Sequence, residues 1–117
     1  MKIAVTYENG QIFQHFGKSK QWKVYEVENG RSTTSCILDV DAEGHTARVQ
    51  FLVDHHIDTV VCGGIGAPAL AALKAAHITV YPGHTGDADA VVEQVLRGTI
   101  VADASYTPHT CHHESHA

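Results

Sequence analysis

The chain has 117 residues, of which 44% are hydrophobic and 18% are charged, a composition typical of one globular domain with a single core. Its formal net charge of -5 argues against the basic surface that a nucleic acid requires, so we expect no nucleic-acid partner. No apolar run approaches the roughly 18 residues of a membrane span and the amino terminus does not resemble a signal peptide, so we expect a cytoplasmic protein with no membrane partner.

The first half of the chain has the pattern of antiparallel β-structure. β-branched and apolar residues predict strands over 2–7, 21–28 and 35–40, and Asn-Gly pairs mark turns after the first two. Because the tight turn Asn29-Gly30 joins the second and third strands, we expect these two to form an antiparallel hairpin.

The second half has the pattern of alternating helices and strands. A helix is predicted over 43–56 because Val49, Leu52, Val53 and His56 recur at helical spacing. The elements that follow are a strand over 58–62, a helix over 67–76 and a strand over 78–81. A last helix is predicted to begin after the capping residue Asp87 and to end at Gly98. Its apolar face consists of Ala88, Val91, Val92, Val95 and Leu96. Residues 100–103 could add a short edge strand.

The predicted order βββαβαβα favours an α/β fold of ribonuclease H-like arrangement, with a mixed five-stranded sheet and helices packed on it. The first, third, fourth and fifth strands should run in one direction and the second in the other. We expect this domain to span 1–104 and a His/Cys-rich, flexible tail to occupy 105–117.

Potential metal ligands and glycines follow the parallel strands of this predicted sheet. Ligands of such sheets bind outside the carboxyl ends of the strands, where helix amino ends also favour an anion. The residues expected there are His15, His45, Cys62, Gly63, Gly64, Gly66 and His84. Since glycines allow a bulky group to approach the backbone, this edge suits an anionic metal–sulfur cluster or an oxyanion.

The same residues also have structural interpretations. A cysteine at the end of a buried strand is often an inert core thiol, and the glycines could simply form a tight strand-to-helix turn. Gly64-x-Gly66-x-x-Ala69 resembles a dinucleotide fingerprint, but no acidic residue ends the following strand. Three histidines away from the edge are interpreted as structural, namely His55, His56 and His77.

Several motifs together resemble the dinitrogenase iron–molybdenum cofactor biosynthesis family, over roughly residues 1–102. The motifs are the initial KIAV, Gln14-His15-Phe16-Gly17, Gly44-His45, VCGGIG at 61–66 and Gly86-Asp87. The resemblance implies a ribonuclease H-like fold and non-catalytic binding of an iron–sulfur or iron–molybdenum type cluster, with His15, His45 and Cys62 at the binding edge. It also implies a partner protein that donates or accepts the cluster. The chain departs from the family at Lys18, where relatives commonly have arginine.

The tail contains a second candidate metal site, made of His109, Cys111, His112, His113 and His116. Imidazole and thiolate groups suit zinc, copper and nickel, but the spacing does not match a zinc finger. A divalent-metal buffer or sensor is therefore an alternative function. A disordered polar terminus is the structural interpretation.

Catalysis is the least favoured function. A nucleophilic Cys62 would need a base and an orienting group, and the sequence has no paired-carboxylate signature or phosphate-binding lysine motif. We therefore expect a protein that is not an enzyme. An exposed strand edge also leaves open a homodimer.

Overall fold

The computed structural model describes residues 1–40 and 44–98, which form one mixed β-sheet with three α-helices. The strands are β1 (Lys2–Glu8), β2 (Gln11–Ile12), β3 (Gln21–Glu28), β4 (Arg31–Asp39), β5 (Thr59–Val61) and β6 (Thr79–Tyr81). The helices are α1 (Gly44–Asp54), α2 (Ala67–Ala75) and α3 (Ala88–Arg97), and a 3₁₀ turn covers Phe16–Lys18. None of the helices in these ranges is long and apolar enough to cross a membrane.

The strands are ordered β4-β3-β1-β5-β6, and the short β2 pairs with β1 outside this path. β3 is antiparallel to both β1 and β4, whereas β5 is parallel to β1 and β6 is parallel to β5. This confirms the α/β class and the predicted strand directions. The predicted number of five strands is wrong for the described residues, because the two-residue β2 is too short to show an alternating pattern.

The two Asn-Gly pairs form the two hairpin turns of the sheet. Asn9 and Gly10 have φ angles of 50° and 86°, and Asn29 and Gly30 have φ angles of 55° and 76°. Left-handed conformations at both central residues match the twist of antiparallel strands and are most accessible to Asn and Gly. The predicted hairpin between the second and third strands is confirmed as β3–β4, with Glu28 opposite Arg31.

Each face of the sheet has its own hydrophobic cluster. The face under α1 and α2 contains Trp22, Leu52 and Leu73, all fully buried. The opposite face, under α3, contains the buried Val5 and Val91. The two-sided core explains why β1 and β5 are buried along their whole central length rather than on alternate residues.

The first helix ends earlier than the sequence predicts. Its last residue is Asp54, and His56 is in the left-handed conformation with a φ of 57°. The amide of Ile57 donates to the carbonyl of Leu52 at 3.0 Å, which closes a Schellman motif. The predicted helix over 43–56 is therefore too long at its carboxyl end, and both Val53 and His56 are exposed. The predicted edge strand at 100–103 lies outside the described residues.

Candidate functional site

A pocket of about 340 Å³ lies at the carboxyl ends of the parallel strands, between the 3₁₀ turn and the starts of α1 and α2. Its walls include His15, Lys18, His45, Gly64, Gly66 and Pro68. His15 and Lys18 are exposed and His45 is half-buried, so all three polar side chains can reach a bound group. The structure thus brings together four of the seven residues predicted at this edge: His15, His45, Gly64 and Gly66.

Three helical segments point their amino ends at this pocket. The 3₁₀ turn begins after His15 and α2 begins after Gly66, and neither preceding residue caps its helix with a side chain. The first turn of α1 contributes Gly44 and His45 to the wall. The first amides of α1 and α2 have no partner within their helices and carry partial positive charge, so their convergence with the Lys18 ammonium favours an anion. The Phe16 amide at the start of the 3₁₀ turn donates instead to the Gly64 carbonyl.

Backbone hydrogen bonds fix the His15 loop against the glycine turn after β5. The Gly64 amide donates to the Gln14 carbonyl at 2.7 Å, and the Phe16 amide donates to the Gly64 carbonyl at 3.0 Å. His15 and Gly64 consequently form an isolated parallel bridge. This pairing places the His15 imidazole at the pocket although β1 itself ends at Glu8.

Arg48 joins two walls of the pocket and was missed by the sequence analysis. It is only 4% exposed, and its Nε donates to the Ser19 carbonyl at 2.8 Å while an Nη donates to the Gly44 carbonyl at 3.1 Å. The guanidinium therefore ties α1 to the end of the 3₁₀ turn. The available signal was a charged residue adjacent to Val49 on the apolar stripe of the predicted helix.

Cys62 does not line the pocket. Its side chain is fully buried in the cluster under α1 and α2. Burial raises the pKa of the Cys62 thiol to about 12, so the thiol is protonated at neutral pH. In this conformation Cys62 is a core residue, because the end of β5 directs it toward the same cluster as Val60.

Gly63 and His84 lie beside the pocket but do not line it. The His84 amide donates to the Cys62 carbonyl at 3.1 Å, and the Gly83 amide donates to the Gly63 carbonyl at 2.8 Å. Partial burial lowers the pKa of the His84 imidazole by desolvation, which favours its neutral form. The loop after β6 thus continues the backbone pairing beyond the strands and holds the glycine turn after β5 in place through these two hydrogen bonds.

Within residues 1–40 and 44–98, no three His, Cys, Asp or Glu side chains are grouped as they would be around a single metal ion. The predicted tail ligands His109, Cys111, His112, His113 and His116 lie outside the described residues. The polar groups of the pocket are two imidazoles, one ammonium and backbone amides.

Comparison with known proteins identifies the family. Residues 1–98 match the sequence profile described as dinitrogenase iron-molybdenum cofactor. The chain belongs to this family. The match confirms the resemblance inferred from the HFG and CGGIG motifs of the sequence.

One protein of similar sequence and two of similar structure match most of the length of this chain. An uncharacterized protein of Methanocaldococcus jannaschii is 25% identical over 105 residues, which cover 86% of this chain and 89% of that protein. The crystal structure of PH0822 has a TM-score of 0.80 at 24% identity and covers 90% of this chain and 96% of that one. The apo form of the orange protein from Desulfovibrio gigas has a TM-score of 0.78 at 23% identity and covers 88% of this chain and 92% of that one. The two structural likenesses establish a shared fold.

Proposed function

We propose that this protein is a non-catalytic carrier that binds a preformed, anionic metal–sulfur cluster of iron–sulfur or iron–molybdenum type. The observation that carries the proposal is the convergence of the amino ends of α1 and α2 with His15, Lys18 and His45 on one pocket. Membership of the dinitrogenase iron-molybdenum cofactor family supports the class of ligand.

The roles of the side chains follow from their chemistry. His15 and His45 offer imidazole nitrogens that can coordinate iron or donate hydrogen bonds to sulfide. Lys18 supplies a positive charge that offsets the charge of the cluster. Gly64 and Gly66 leave the backbone bare, so that amides at the start of α2 can approach the cluster closely.

Cys62, Gly63 and His84 belong to the proposed binding edge as a second group of residues. A thiolate ligand at Cys62 would require the end of β5 to open, because the thiol is buried and its pKa is about 12. A carrier benefits from such a ligand only if it can be released again. The Cys62→Ala variant tests whether the thiolate is a ligand. Loss of the cluster would make Cys62 a ligand, whereas retained binding assigns the contact to the imidazoles and backbone amides.

The test is anaerobic reconstitution with iron and sulfide, with and without molybdate. Visible absorption and the content of iron and acid-labile sulfide report binding. Trp22 provides a fluorescence signal because it packs edge-on against Phe16 of the pocket wall, with 5.4 Å between the ring centroids. The His15→Ala/His45→Ala double variant should lose the cluster. His55→Ala, which removes an exposed histidine outside the pocket, should retain it. Full retention in the double variant would contradict the proposed site.

A divalent-metal buffer or sensor is the second candidate function, and the histidine and cysteine content of residues 105–117 favours it. It predicts that a chain ending at Thr107 no longer binds zinc, copper or nickel. If the shortened chain still binds these ions as tightly as the full chain, the tail is not their site. The division into a domain at 1–104 and a tail is part of this proposal.

The third alternative, a thiol enzyme, is disfavoured by the described geometry. A nucleophilic cysteine needs a lowered pKa and access to substrate, whereas burial raises the pKa of Cys62 and removes the thiol from solvent. The ribonuclease H-like classification is supported by the strand order, in which an antiparallel β1–β3–β4 half precedes parallel β5 and β6. A cytoplasmic location, a cluster-exchanging partner and a homodimer stay predictions.

A further inference from the structure

The side chain of Gln14 lies across the backbone of Gly63, just outside the pocket. A Cβ at Gly63 would stand 2.5 Å from Oε1 and 2.6 Å from Cδ of Gln14. Gly63 is not among the residues with positive φ, so its conformation is open to other amino acids. A side chain at position 63 would therefore displace the end of the Gln14 side chain from its place over the glycine.

The Gln14 carboxamide also connects the neighbouring loops by hydrogen bonds. Its Nε2 donates to the carbonyl of Ile12 at 3.0 Å and to the carbonyl of His84 at 3.1 Å. The backbone carbonyl of Gln14 accepts from the Gly64 amide at 2.7 Å. One residue thus joins the end of β2, the glycine turn after β5 and the loop after β6.

We propose that Gln14 is a positioning residue that fixes His15 at the pocket through its contact with Gly63 and its bond to His84. His15 follows Gln14 directly and pairs with Gly64, so loss of the carboxamide frees the imidazole from a defined position. The ligand-binding part of this inference rests on the proposed function, whereas the positioning part is testable on the metal-free chain.

The chemistry of the amide gives this role a specific signature. Both side-chain hydrogen bonds need N–H donors, which glutamate of the same shape lacks when it is ionised. In Gln14→Glu a carboxylate would face the Ile12 and His84 carbonyls without a donor, so both hydrogen bonds should be lost although the shape of the side chain is kept. Each measurement is compared with wild type at the same pH.

The experiment is amide hydrogen exchange by NMR on the full-length, metal-free protein, read at Gly64 and His84. Gln14→Ala should accelerate exchange at both amides on the order of tenfold, because the local hydrogen bonds lose their support. Gln14→Glu should accelerate exchange about as much as Gln14→Ala, because a carboxylate of the same shape lacks both N–H donors. A role in packing alone would leave the exchange of Gln14→Glu close to that of wild type, because the variant keeps the shape of the side chain.

A double-mutant cycle isolates the contact with Gly63. Gly63→Ala should accelerate exchange as much as Gln14→Ala, because the new methyl group displaces the carboxamide. The combined variant should show no further acceleration, since the clash is gone. Gly17→Ala is the matched control, because a Cβ at Gly17 meets no atom within 4 Å, and it should leave the exchange of Gly64 unchanged.

Three results would overturn parts of the proposal in distinguishable ways. Unchanged exchange in Gln14→Ala, or accelerations that multiply in the combined variant, would refute the positioning role. Faster exchange together with wild-type uptake of iron and sulfide would refute the link from Gln14 to binding through His15. Failure of the wild type itself to take up a cluster contradicts the proposed function and leaves the result on Gln14 standing.

Discussion

Histidines occur at both ends of the parallel strands, but their surroundings at the two ends differ. At the amino ends, His56 and His77 follow α1 and α2 in the left-handed conformation, with φ angles of 57° and 63°. The next residue in each case, Ile57 or Ile78, is buried and closes the helix with a backbone hydrogen bond. These two histidines are helix-ending residues, in agreement with their structural interpretation.

At the carboxyl ends of the strands, His15 and His45 stand at the starts of helical segments and line a pocket. Helix starts present amides, and helix ends present carbonyls, that have no partner within the helix, so the helix dipoles favour an anion at the carboxyl edge of the sheet. The cavity at the opposite edge is lined by neutral side chains such as Val27, Tyr81 and Leu96, and its one charged group among the described residues is the amino terminus of Met1, which donates to the Val27 carbonyl. The proposed binding role therefore falls to the histidines beside helix starts, whereas those beside helix ends close their helices.

The largest expected effect is the low reactivity of Cys62, which lies at the carboxyl edge of the sheet but is buried. Raising a thiol pKa from 9.0 to about 12 lowers the thiolate fraction at neutral pH about 1000-fold, and burial slows the reaction further. In a Cys111→Ser chain, the exposed Cys36 should therefore react with an alkylating reagent much faster than the buried Cys62. Peptide mass spectrometry over time measures both rates. Equal rates would mean that the end of β5 opens readily and that Cys62 belongs to the accessible site.

Arg48 should be the most important single residue for the stability of the pocket walls. Arg48→Ala leaves the Ser19 and Gly44 carbonyls without their charged donor and removes buried packing, at a cost of about 3 kcal/mol in the free energy of unfolding. Urea denaturation measures this cost. Arg97→Ala is the control, since its ion pair with Glu93 is exposed and should change stability by less than about 0.5 kcal/mol. Similar effects of the two variants would show that Arg48 does not hold the walls together.

Replacement of histidine by glycine should have opposite effects at the two ends. His77→Gly relieves a left-handed conformation and should stabilise the protein by about 1 kcal/mol. His45→Gly introduces glycine into the first turn of α1 and should destabilise it by about 0.5–1 kcal/mol. Thermal unfolding of both variants is the measurement. A His77→Gly protein less stable than wild type would mean that the His77 side chain has a role of its own.

The smallest expected effect is the pH dependence from His84. Desolvation lowers its pKa below the ordinary 6.5, so the unfolded chain binds a proton at a higher pH than the folded one. The corresponding stability is complete above the unfolded pKa and is lost as the pH falls through the folded pKa. An NMR titration of the imidazole should give a midpoint below 6.5, and a midpoint above it would contradict the burial of this loop.

The fold was largely predictable from local sequence patterns, whereas the set of residues that line the pocket was only partly predictable. Apolar runs and Asn-Gly turns identified β1, β3 and the β3–β4 hairpin, because a strand and its turn are specified by neighbouring residues. The end of α1 was not predictable from periodicity, since Val53 and His56 continue the helical spacing that the Schellman motif interrupts. Sequence placed Cys62 beside His15 along one edge, but could not show which way its side chain points.

The sequence by itself determined the alternation of strands and helices, the positions of the tight turns and the family. It also determined the edge of the sheet at which the potential ligands and glycines lie. Those properties depend on residue spacing and on the fixed relation between parallel strands and the helices that follow them. Only the tertiary structure decided that His15 and His45 share a pocket while Cys62 is buried, and that the side chains of Arg48 and Gln14 donate to carbonyls in distant segments. Burial and long-range hydrogen bonds arise between segments far apart in the chain, so no local pattern records them.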